Sequence, residues 1–131
     1  MKKLIPFVLG ATLAASSAQA QSSPRDVTRV TEGLIAAGMA IELGDYCDSV
    51  SVRMIRGLNF LQGLKGDLRD AGFSNDQIDA YIDDDQEKDR LEGIARGRLA
   101  DLGVDTSDRA SYCTVARNQI AQGTQVGALL R

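Results

Sequence analysis

The chain has 131 residues, a formal net charge of −3, 44% hydrophobic and 25% charged residues. Those are the proportions of one ordinary globular domain, not of a disordered chain or a polytopic membrane protein. It has no histidine and no tryptophan, which excludes Ser-His-Asp and Cys-His catalysis and His-bearing zinc sites, and what remains singles out no reaction.

Residues 1–20 read as a secretory signal peptide. Lys2 and Lys3 form a positive start, Leu4 to Ala15 an apolar stretch, and Ala18-Gln19-Ala20 a small-x-small cleavage site. The stretch is shorter than the ~20 apolar residues of a membrane span. Cleavage after Ala20 leaves residues 21–131 as a single domain and, with Lys2 and Lys3 gone, a charge of −5. No Arg-Arg pair precedes the apolar stretch and no cysteine follows Ala20, so neither twin-arginine export nor a lipid anchor is indicated. The expected product is a periplasmic protein without a membrane anchor. Its two cysteines, Cys47 and Cys113, are expected to pair in that oxidising compartment as a structural disulfide, since their spacing is unlike a redox-active Cys-x-x-Cys.

The exported chain is expected to be all-α, a small irregular bundle of about five helices. Val27, Val30, Leu34, Ala37 and Ile41 recur at helical spacing, so the first helix should run from Pro24 or Val27 to Leu43, with a break at Gly44-Asp45-Tyr46-Cys47. The second, about Ser49 to Ala71, carries Met54, Leu58, Leu61, Leu64 and Leu68 on an inward stripe flanked by Ile55 and Phe60. Gly72 suits a left-handed helix end, with Phe73 folding back on the last turn. Ser74 with Gln77 forms a capping box for a short third helix starting at Asn75 and burying Ile78, Tyr81 and Ile82. A fourth, about Gln86 to Leu102, turns Leu91, Ile94, Ala95, Leu99 and Leu102 inward and stops at Gly103-Val104. Asp105 to Ser107 should cap a fifth, about Asp108 to Gln122, with Tyr112, Cys113, Val115, Ala116 and Ile120 inward. Gly123 then separates a last turn bearing Val126, Leu129 and Leu130.

This layout resembles an uncharacterised family of small exported proteins from alphaproteobacteria of the Rhodobacter group. The resemblance rests on the cysteine after the first helix, Ser51-Val52-Arg53-Met54-Ile55 with Leu58 and Phe60-Leu61, Gly72-Phe73-Ser74, Tyr81-Ile82, Glu87-Lys88, Ser111-Tyr112-Cys113 and Gly127-Ala128-Leu129-Leu130. It implies periplasmic residence and one domain, and no activity.

Candidate chemistry is sparse. Asp83-Asp84-Asp85-Gln86-Glu87 lacks the glycine and the distant glutamate of an EF-hand, since Lys88 and Ile94 stand there, so it reads as the negative N-terminus of the fourth helix. A carboxylate hydrolase would draw on Glu32, Glu42, Glu87 and Glu92, none of which lies in a recognisable motif. Arg53, Arg56, Lys65 and Arg69 could form a basic stripe, but net acidity and export count against nucleic acid. Gly33, Gly38, Gly57, Gly63, Gly66, Gly93 and Gly97 fall inside predicted helices, at about 1 kcal/mol each against alanine, which suggests close helix crossings or deliberate looseness, close packing being the blander choice.

The functional expectation is a non-enzymatic interaction protein with an unknown periplasmic protein as partner, no cofactor, no metal and no catalytic residues. Cys47 and Cys113 as a disulfide and Ala18 and Ala20 as the cleavage positions are the only assigned sites. An acid-responsive chaperone and a small hydrolase or hydrolase inhibitor are the alternatives.

Overall fold

Ser23 accepts a hydrogen bond from the Arg25 backbone and starts a 3-10 turn over Pro24–Asp26, at the beginning of a computed structural model that describes residues 22–131. The signal segment and its Ala18 and Ala20 lie outside the described residues. Six helices follow: α1 (Thr28–Tyr46), α2 (Met54–Asp70), α3 (Asn75–Ile82), α4 (Asp85–Asp101), α5 (Arg109–Gln122) and α6 (Gln125–Ala128). Among the described residues no strand forms, so the all-α expectation holds.

The capping predictions hold in α3 and α4. Ser74 and Gln77 close a reciprocal capping box on α3, and the Asp84 carboxylate accepts the Glu87 N–H at 2.7 Å to start α4. Gly72 and Gly103 take φ of 97° and 114°, the left-handed region in which glycine alone is free of Cβ strain. The fifth helix is capped one residue beyond the expected segment. Asp108, not the Asp105–Ser107 segment, accepts from the Ala110 N–H, while Asp105 turns back on Ser107.

Two boundaries move for a physical reason. Helix α1 runs through Gly44 and Asp45 to Tyr46, since Gly44 lies against Val52, where a Cβ would meet Val52 Cγ2 at 3.0 Å. Helix α2 starts at Met54 instead of Ser49 because Ser51 and Arg131 exchange backbone hydrogen bonds of 2.8 and 3.0 Å and the Arg53 N–H donates to the Leu129 carbonyl. The segment before α2 is thus held extended by a partner some eighty residues away, which no local propensity encodes.

Apolar burial is concentrated on α1. Its Ile35, Met39 and Leu43 meet Leu91 and Leu99 of α4, Tyr112 and Val115 of α5, and Val126, Leu129 and Leu130. A second cluster joins Val30 to Leu64, Leu68 and Ile78, each fully buried aliphatic side chain contributing about 1.5 to 3 kcal/mol. Cys47, which caps the C-terminus of α1, is bonded to Cys113 of α5. The disulfide closes a span of 66 residues, worth about 4 kcal/mol of unfolded-state entropy in the chain-entropy model.

Several side chains predicted inward are not. Leu64 and Leu68 are buried on α2, but Met54, Ile55 and Leu58 are 67%, 73% and 54% exposed. Leu102 and Ile120 are exposed as well. The glycine expectation is also corrected. A Cβ at Gly33 would collide with Leu64 and one at Gly38 would touch Ala95 at 3.4 Å, but at Gly57, Gly63, Gly66, Gly93 and Gly97 it would meet nothing within 4 Å. Five of the seven glycines predicted inside helices therefore serve no close crossing.

Candidate functional site

Helix α1 packs against both α2 and α4, which make no extended contact with each other. The gap between them is an apolar groove of about 800 Å³. Leu34, Ala37, Gly38 and Ile41 form its floor, Met54, Gly57, Leu58 and Leu61 one wall, and Lys88, Leu91 and Glu92 the other. The small residues of α1 give it depth. Helix α3 packs against both walls and sets Tyr81 and Ile82 at one end, while Asp45, Val52 and Leu129 lie at the other. The exposed Met54 and Leu58 follow from this geometry: they stand on the groove wall with no apolar element opposite.

The predicted basic stripe divides. Lys65 pairs with Asp79 at 3.6 Å and Arg69 donates to Asn75, so both are absorbed by α3. Arg53 and Arg56 instead join Arg131 around a shallow pocket with Met54, Ile55 and Asn59, at the N-terminus of α2. Arg56 donates to the Ala128 carbonyl at 3.3 Å and Arg131 to the Ser51 hydroxyl at 3.4 Å. Among the described residues none of the three has a carboxylate partner. Met54 lies in both this pocket and the groove.

Of the four glutamates, Glu87 is buried, at 5% exposure. Both its oxygens are occupied: Arg90 donates at 2.7 and 3.1 Å, Arg25 Nε at 3.2 Å with its Nη2 forming a second ion pair, and the Tyr81 hydroxyl at 3.0 Å. The Arg90 hydrogen bonds, then those from Arg25 and Tyr81, outweigh burial and hold the Glu87 carboxyl down at about 2. Burial, with the hydrogen bond to Glu87, pushes the Tyr81 phenol up. Glu87 is thus a fully ionised anchor that ties the segment before α1 to α3 and α4. Its place in the first turn of α4 was legible, but its partner Arg25 stands 62 residues away and no spacing signals it.

The other glutamates sit in surface pairs. Glu32 accepts two bonds from Arg98, at 2.6 and 2.9 Å, and this hydrogen bonding lowers its carboxyl below the ordinary value. Glu42 and Glu92 both face Arg96, at 3.4 and 3.7 Å. Among the described residues no three Cys, Asp or Glu side chains converge as a metal-ligand set, and no helix is long and apolar enough to cross a membrane. Asp83 closes α3 and Asp84 opens α4, so the acidic run is divided between two helix ends.

Neither the curated proteins nor the solved structures include a match to this chain. A family model spans residues 22–131, the whole of the described domain with its groove, arginine pocket and disulfide, and the chain accordingly belongs to the family of unknown function DUF5333.

Proposed function

We propose that the protein is a non-enzymatic binding protein of the periplasm whose contact surface is the groove between α2 and α4. The observation that carries this reading is the position of Met54, Leu58 and Ile41, all more than half exposed and all lining one concave apolar surface. Contiguous exposed apolar surface of this kind marks interaction sites. Elsewhere polar groups are matched: among the described residues no buried side-chain nitrogen or oxygen lacks a hydrogen-bond partner.

Two further observations favour binding over the alternatives. The buried Glu87 is fully engaged by two arginines and a tyrosine, which favours a structural role over general acid or base chemistry. The groove is open in the folded state, which favours constitutive binding over acid-triggered exposure. The residence assignment draws support from the Ala18-Gln19-Ala20 cleavage pattern and the Cys47–Cys113 bond.

Both parts are open to direct test. Intact-mass analysis of a periplasmic extract should find the chain beginning at Gln21. A photoreactive side chain placed at Leu58 or Met54 of the exported protein should form a defined adduct, while one at the exposed Ile120 on α5 should not. Equal labelling at all three positions, or a chain retaining residues 1–20 in the membrane fraction, contradicts the reading.

A further inference from the structure

We propose that the groove binds a free single-chain anionic amphiphile of the fatty-acid class, its tail lying between α2 and α4 and its anionic head among Arg53, Arg56 and Arg131. The proposal rests on the groove being a contact surface and specifies what that surface takes.

Shape favours a tail over a through-running helix. Helix α3 packs against both groove walls and places Tyr81 and Ile82 at one end, so the slot is stopped there. From Leu34 to Asp45 the floor spans about 16 Å at the rise of an α-helix. The volume of about 800 Å³ falls in the range of small-molecule sites, about 300 to 1,000 Å³. Gly57 contributes width, because it lines the wall and a Cβ there would meet no atom within 4 Å.

Charge selects the head. The open end leads through Met54, the residue common to both cavities, to three arginines without a carboxylate partner among the described residues. Among the described residues Asp45 is the one side-chain carboxylate lining that end; Glu87, Glu92 and Lys88 lie on the α4 side. In a chain of negative net charge, an apolar slot opening onto unpaired guanidinium groups is complementary to an apolar body with an anionic terminus.

The test is calorimetric titration of the exported protein with dodecanoate below its micelle concentration, against dodecyltrimethylammonium as a cation with the same tail. Dodecanoate should bind at one saturable site, at least about tenfold more tightly than the cation, a difference of about 1.4 kcal/mol. Gly57→Leu should fill the slot and abolish binding without lowering the thermal midpoint. Arg53→Gln with Arg56→Gln should weaken dodecanoate about tenfold and leave the cation unchanged. Equal affinity for the two amphiphiles, a site indifferent to Gly57→Leu, or no saturable heat overturns the proposal. So does binding to phosphatidylglycerol vesicles, or a dimer broken by Leu58→Glu, in protein that ignores dodecanoate. If Leu58 still crosslinks to a partner while dodecanoate fails to bind, the groove remains the contact surface and only the assigned ligand falls.

Discussion

Gly33 of α1 receives the tip of Leu64 from α2, so closely that a Cβ there would stand 2.6 Å from Leu64 Cδ2. Leu64 is buried in the cluster that joins α1, α2 and α3, so it has little room to retreat. Gly33→Ala should therefore lower stability by about 1 to 3 kcal/mol through overpacking. Gly63→Ala, one residue before Leu64 but facing open space, should raise it by up to about 1 kcal/mol through helix propensity. Gly127→Ala should cost more than Gly33→Ala, because its Cβ would strike the Gln119 carbonyl and come 2.7 Å from the Ile120 nitrogen, and backbone cannot rotate away as a leucine can. Urea denaturation of the three variants checks the order.

The Glu87 network makes a prediction about pH. Its carboxyl is held at about 2, against an ordinary value of 4.5. Because the folded value is the lower one, the stabilisation is complete above about pH 4.5 and is lost as the pH falls through 2. The difference corresponds to about 3 kcal/mol. Glu87→Gln should remove about 2 to 3 kcal/mol at pH 7 and flatten the decline in stability over that acid window. Tyr81→Phe should cost about 1 kcal/mol and leave the slope largely intact. An unchanged acid slope in Glu87→Gln would show that other carboxylates carry it.

Cys47 holds the end of α1 against α5 by its bond to Cys113. Cys113→Ala should lower stability by about 2 to 5 kcal/mol, read as a shift in denaturation midpoint. Thiol titration of protein taken directly from the cells that produce it should find no free cysteine; two free thiols would remove the disulfide from the stability account.

What was legible in the sequence was local. Ser74 with Gln77, the acidic residues at the start of α4, and Gly72 and Gly103 act within one helical turn, and the structure places them as read. The cysteine pair was legible because only one pairing of two thiols exists. Periodicity failed where it was asked to distinguish core from groove: Met54 and Leu58 share an apolar stripe with Leu64 and Leu68, yet α2 diverges from α4 and leaves its first half uncovered. The arginine pocket and the Arg25–Glu87 pair depend on chain segments far apart in sequence, Arg131 against Ser51 and the opening turn against α4. Such juxtapositions belong to topology, which spacing does not report.

The central claim, that the groove is the surface the protein uses, is tested most directly by carbene footprinting of the protein inside the intact cells that produce it and again after purification and delipidation. Ile41, Met54 and Leu58 should be protected in the cell and become reactive in the purified protein, while the exposed Leu102 and Ile120 label equally in both. Equal reactivity of Ile41, Met54 and Leu58 in the two preparations would contradict the account, since it would mean that the groove stands empty where the protein works.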